Sequence, residues 1–151
     1  MDYSMLIVDA NVVISTLISK NFLILILRQL RSKGVKLYSP TFLKEEIKDH
    51  WGEIKLKTKL DEKYLEIIFK EIFSIIDCVE IQKYNRFIEE AVNICSDKDD
   101  APYVALSLSL NKAPIWSFDK VLKKDCKKAN ISVISTSDVV EIFYINSKPI
   151  V

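Results

Sequence analysis

At 151 residues the chain has the length of one domain, 1–151, and enough residues to close a single hydrophobic core. An apolar share of 49% excludes a disordered polymer, and a net charge of +1 excludes a polycation, so any grip on nucleic acid must come from a local patch. With only two glycines, Gly34 and Gly52, the chain holds neither a Walker A phosphate loop nor a glycine-rich dinucleotide fingerprint.

Short strand-like runs alternate with helical patterns along the whole chain. Strands are expected at Met5–Val8, 35–38, 75–81, 113–116 and 131–134. Helices are expected over 12–32 in two pieces, 40–51, 61–74, 85–94, 100–111, 120–129 and 137–143. Lys33-Gly34 reads as a helix stop, and Ser39-Pro40 as an N-cap followed by a first-turn proline. Pro102 sits in the first turn of a helix opened by Asp99 or Asp100, where a missing N–H costs little. The lysine-rich stretch 54–63 is weakly patterned and is the candidate for a mobile loop or helical arm. This alternation implies βαβ units, and hence an α/β domain whose mostly parallel sheet is covered on both faces.

No basic stretch precedes an apolar one at the start, as a secretory signal requires, and the longest apolar run, 22–27, is too short to span a membrane. A cytoplasmic protein with no membrane partner is therefore expected. A helix apolar all round over 22–27 must be covered on every side, either by its own neighbours or by a second subunit. Cys78, Cys95 and Cys126 are odd in number, far apart and set in apolar surroundings, so they read as buried free thiols and not as a zinc site.

Acids carry the chemistry. Asp9 closes the first strand and Asp119 follows the fourth, and ligand sites of parallel sheets form beyond the carboxyl ends of strands. Either acid alone serves equally well as a helix N-cap; two on two strands of one sheet point to a shared site. In the helix over 40–51, Phe42, Leu43, Ile47 and Trp51 span one apolar half, and Glu46 falls inside it while Glu45 projects outward with Lys48. A carboxylate on the buried side requires a partner, an ion pair at the helix edge or a metal. Asp100 lies in helical register with the inward Val104 and Leu108, Asp99 faces outward, and Asp97 can reach the place of Asp100. Capping is the alternative role for all three. Asn11 and Ser117 either orient a carboxylate or act as ordinary caps. Carboxylates gathered from distant parts of a chain repel one another, a fold tolerates that mainly around a cation, and hard oxygen ligands suit Mg²⁺ or Mn²⁺. The pattern therefore points to metal-assisted phosphodiester chemistry.

Lys120, Lys123, Lys124 and Lys127, with Lys128, crowd the helix after Asp119 while Val121, Leu122 and Cys126 turn inward. They form either a solvated face or a phosphate-binding one. His50 is the only histidine and reads as a surface or structural residue, since no serine sits in a nucleophile elbow. Trp51, Trp116 and Phe118 read as core in preference to base-stacking platforms.

The motifs Val8-Asp9-Ala10-Asn11-Val12, Glu46-Ile47, Asp100-Ala101-Pro102-Tyr103-Val104-Ala105 and Ser117-Phe118-Asp119-Lys120 resemble the PIN domain. That family comprises metal-dependent ribonucleases, including toxins of VapBC-type toxin–antitoxin pairs, and the resemblance covers nearly the whole chain in the expected order. It implies a three-layer Rossmann-like fold with a five-stranded sheet of order 3-2-1-4-5. It further implies that Asp9, Glu46, Asp100 and Asp119 are the catalytic acids, with Asp9, Asp100 and Asp119 on Mg²⁺ or Mn²⁺ and Asp97 an optional ligand. Asn11 stands where the family often has Ser or Thr. An endoribonuclease acting on RNA is implied, leaving 5′-phosphate and 3′-hydroxyl ends, with an antitoxin and a homodimer as expected partners. Two other readings stand beside it: a catalytically silent PIN-like module that binds RNA or protein, and a related DNA-directed nuclease. Receiver and haloacid-dehalogenase patterns fail, because Ala10 and Asn11 follow Asp9 where each needs a further acid.

Overall fold

The computed structural model describes residues 3–19 and 22–145; residues 20 and 21, inside the helical expectation for 12–32, and both chain ends lie outside the described residues. Strands β1 (Met5–Val8), β2 (Lys36–Pro40), β3 (Ile76–Val79), β4 (Ile115–Trp116) and β5 (Val133–Ile134) form one sheet of order β3-β2-β1-β4-β5. Every pair is parallel, so the expected order holds and the mostly parallel sheet is wholly so. Leu6, Ile7 and Val8 of β1 are all fully buried, as a central strand covered on both faces requires.

Helices α1 (Ala10–Ile18), α2 (Phe22–Ser32), α3 (Phe42–Asp49), α4 (Trp51–Lys57) and α5 (Glu62–Ile75) pack against one another. Helix α6 (Ile88–Ile94) packs on α7 (Ala101–Ser109), and α7 lies over β1, β2 and β4. Helix α8 (Lys120–Lys127) rests on β5, and α9 (Thr136–Ile142) follows with a capping box between Ser135 and Asp138. Among the described residues no helix is long and apolar enough to cross a membrane.

Register places the site. Ile7 stands opposite Tyr38 on one side and Ile115 on the other, Val8 stands opposite Trp116, and the Asp9 N–H donates to the Trp116 carbonyl at 3.0 Å. The chain leaves β1 towards β2 and leaves β4 towards β5, so the ends of β1 and β4 open into one crevice at the reversal of strand order.

Several local expectations need correction. Ser39 and Pro40 do not open a helix: both lie in β2, paired with Cys78 and Val79 of β3. The buried Ser39 hydroxyl donates to the Val8 carbonyl at 2.6 Å, and Pro40 stands beyond the last β1–β2 pair, where its missing N–H breaks no bond to β1. Helix α3 starts at Phe42, with Thr41 at the N-cap position. The stretch 54–63 is half helical: Ile54 is fully buried in α4, Thr58 donates its hydroxyl to Leu17 O at 2.8 Å, Lys59 N–H reaches Ile18 O at 3.0 Å, and Asp61 caps α5. The helix expected over 85–94 is a 3₁₀ turn, Asn85–Phe87, leading into α6. The helix stop is as expected, since Gly34 adopts φ +79° and Val35 N–H returns to Leu30 O at 3.0 Å.

The apolar helix α2 is covered by its own chain. Leu23, Ile24, Ile26 and Leu27 are buried, with α1, α5 and β2 packed against the helix, while Phe22 is exposed. A second subunit is not needed to cover it.

Candidate active site

Asp9 sits at the β1–α1 junction, buried, and caps α1. Its Oδ1 accepts Ala10 N–H at 2.8 Å and its Oδ2 accepts the Ser117 hydroxyl at 2.6 Å. Ser117 Oγ in turn accepts Asn11 Nδ2 at 3.2 Å and Asp119 N–H at 3.0 Å, so its one donor and both lone pairs are used. Asn11 Oδ1 accepts Phe118 N–H at 3.3 Å. Asn11 and Ser117 therefore tie the β1–α1 junction to the β4–α8 junction and hold the Asp9 carboxylate between them. Burial pushes the Asp9 carboxyl up against the pull of its two hydrogen bonds, and the charge of Asp119 adds to the rise.

Glu46 lies on the inward side of α3 and Glu45 is exposed, as the helical phasing predicts. Glu46 Oε1 accepts the hydroxyl of Tyr103, a buried residue of α7, at 2.6 Å. Partial burial raises Glu46 to about 7; Tyr103 opposes the rise, Asp9 and Asp99 add to it, and His50 opposes it weakly. Tyr103 itself is pushed far up by burial and by Glu46, so it stays a donor.

Asp100 occupies the N-cap position of α7, but in the αR conformation and with no side-chain cap bond, which leaves its carboxylate free. Burial raises it to about 7, followed by the charges of Asp9, Asp119, Asp97 and Glu46 in that order. One carboxylate thus feels all the predicted acids. Asp119 caps α8, its Oδ1 accepting Val121 N–H at 2.9 Å and Leu122 N–H at 3.1 Å. For Asp9 and Asp119 capping and a place in the cluster are one geometry, because the cap fixes where the carboxylate points. Asp97 is exposed and spends Oδ1 on Asp99 N–H at 2.9 Å.

The four main acids come together as electrostatic neighbours, but they do not close to ligand spacing. Among the described residues no three His, Cys, Asp or Glu side chains form a ready-made metal set. Asp9, Glu46 and Asp119 each have at least one oxygen committed to a hydrogen bond. No lysine or arginine compensates them: the ion pairs among the described residues are Arg28–Glu71, His50–Glu53, Lys55–Glu62 and Lys57–Glu53. Hard oxygens of which Asp9, Glu46 and Asp100 are held up in pKa by burial and neighbouring acids, with no internal cation beside them, fit a divalent metal in donor chemistry and charge.

Tyr103 is the site residue that residue-by-residue reading missed. It stands three positions after Asp100, on the same helix face, which places it opposite Glu46.

On α8 the lysines Lys120, Lys123, Lys124 and Lys127 are all exposed. Val121 is exposed as well, contrary to expectation, and Asp125 takes an inward position instead because Ser96 N–H and Oγ hold its carboxylate at 2.8 and 3.0 Å. Phe118 is not core but exposed. Trp116 is buried, with its indole N–H on Thr136 Oγ1 at 3.0 Å, and the half-buried Trp51 meets Phe69 edge-on. All three cysteines are free, and burial pushes the Cys95 and Cys126 thiols to about 12, which makes them inert.

A family model described as PIN domain matches residues 7–134, from β1 to β5. No curated protein matches the chain.

Proposed function

The chain belongs to the PIN-domain family, whose members are generally nucleases, and from that premise we propose that it is a metal-dependent endoribonuclease. The observation that carries the proposal is Asp100, which feels the charge of Asp9, Asp119, Asp97 and Glu46 at once. Asp9, Asp100 and Asp119, with Asp97 behind them, would hold Mg²⁺ or Mn²⁺, which when bound supplies positive charge to neutralise the acids and polarise the phosphate. Glu46 is anchored through Oε1 to Tyr103, leaving Oε2 to take a proton from the attacking water. Asn11 and Ser117 keep Asp9 in place during the reaction.

The deciding experiment is cleavage of single-stranded RNA and DNA of one sequence, with EDTA or with Mg²⁺ or Mn²⁺. RNA should be cut internally only with metal. Cutting of DNA alone would assign a DNA-directed nuclease, and metal-independent silence on both would assign a binding module. In the same assay, replacing Lys123, Lys124 and Lys127 with glutamine should lower RNA affinity about tenfold to a hundredfold near 0.1 M salt and flatten the salt slope by about 2. Unchanged binding would return that face of α8 to ordinary solvated surface.

The finer form of the reading makes the chain the toxin of a toxin–antitoxin pair and a homodimer. Since α2 is covered internally, the dimer rests on the family resemblance. Light scattering at micromolar concentration should show twice the mass of 17.4 kDa, and a strict monomer ends that part of the proposal.

A further inference from the structure

Phe118 stands in the three-residue link between β4 and α8, with Ser117 before it and Asp119 after it. Ser117 is locked to Asp9, and Asp119 to the first turn of α8. The Phe118 backbone is pinned as well, its N–H donating to Asn11 Oδ1 at 3.3 Å. Yet the side chain is 43% exposed, and Val121 in the first turn of α8 is 55% exposed. Two apolar side chains left half in water next to Asp119 gain only part of what full burial would give. Lys120, Lys123 and Lys124 follow on the same helix, all exposed. Along the chain Phe118 directly precedes Asp119 of the acid cluster and the lysines of α8. An exposed aromatic ring whose backbone is pinned at that junction suits a nucleobase, because every base presents a π face for stacking. A base inside a duplex has already spent that face on its neighbours.

We propose that Phe118 is a nucleobase subsite that stacks one unpaired base of the substrate next to the scissile phosphate and thereby selects single strands over duplexes. The inference rests on the nuclease reading above. Phe118 is a positioning residue here: it touches the base and leaves proton transfer to the acids.

The test measures affinity of the full chain, in Ca²⁺ to suppress cleavage, for three probes. They are a single-stranded oligoribonucleotide, the same strand annealed to its complement, and the same strand carrying abasic positions. Phe118→Ala should weaken the single strand about fivefold to a hundredfold and leave the duplex and abasic probes unchanged. Phe118→Trp should restore affinity, and its added fluorescence over the wild type should respond to the single strand and not to the abasic one. Equal weakening on all three probes, or none, overturns the subsite. A lower melting temperature with unchanged binding shows instead that the ring staples the start of α8, and loss of self-association with unchanged binding shows a protein contact; either result overturns it too. A wild-type chain that neither binds nor cleaves any nucleic acid overturns the nuclease reading and the subsite together. A wild type that binds while Phe118→Ala behaves identically removes the subsite alone.

Discussion

Asp9→Asn should reduce metal-dependent cleavage by at least about 10²-fold while leaving the fold intact. The amide keeps the size of the carboxylate and can still accept Ala10 N–H through its oxygen. What it loses is charge at the most buried member of the acid cluster. One strained contact follows, because Asn Nδ2 would face a Ser117 oxygen whose lone pairs already take Asn11 and Asp119. Relief of a buried charge opposes that loss, so the melting temperature without metal should move by no more than about 4 °C. The rise in melting temperature on adding Mn²⁺ should largely disappear, since binding to the native state is what produces it. Glu45→Gln is the control and should change nothing, because Glu45 is exposed on the far side of α3 from Glu46. An active Asp9→Asn variant, or an inactive Glu45→Gln beside an active Glu46→Gln, would refute this assignment of roles.

The acids were legible because each breaks a local pattern. Glu46 sits in the apolar half of its helix, and Asp9 and Asp119 follow strands that a sheet must align. Sheet order followed once the family resemblance was granted, and the parallel register then brought Val8 beside Trp116. What stayed hidden depends on partners far away in the chain. Ser39-Pro40 has the chemistry of a helix start, but pairing with β3 extends the strand through it. Tyr103 reads as one more core aromatic, and only the approach of α3 to α7 turns its hydroxyl into the anchor of Glu46. Phe118 continues an apolar strand pattern, yet β4 ends at Trp116 and the ring emerges into solvent. Apolar periodicity requires that α2 be covered and does not say by what; α1 and α5 do it.

Without metal, the protein should lose stability as pH rises from about 5 to 8. Glu46 and Asp100 are both raised to about 7 in the folded state, and Asp9 is raised as well. In the unfolded chain the same groups ionise near their ordinary values of roughly 4. Between those limits the folded state holds protons that the unfolded state has released, so stability falls with increasing pH. The contribution is complete below the unfolded values and is lost as pH passes through about 7. A carboxyl carried that far is worth up to about 4 kcal/mol, but both groups are partly solvated and share one repulsion. Together they should contribute on the order of 2 kcal/mol, or roughly 4–8 °C in melting temperature. Acids shifted the other way do not cancel this. Glu71, lowered by its hydrogen bond to Arg28, and Asp138, lowered by Ser135 N–H, lose their stabilisation only on the acid side of their ordinary range. Saturating Mg²⁺ or Mn²⁺ should reverse the slope, because the cation binds the deprotonated acids and stabilises more as pH rises. Melting curves at pH 5.5 and 8, with and without metal, read all four corners. The Glu46→Gln, Asp100→Asn double variant should flatten both slopes. A metal-free protein equally stable at the two pH values would mean that Glu46 and Asp100 are not raised in the folded state, and would remove the repulsion on which the shared site rests.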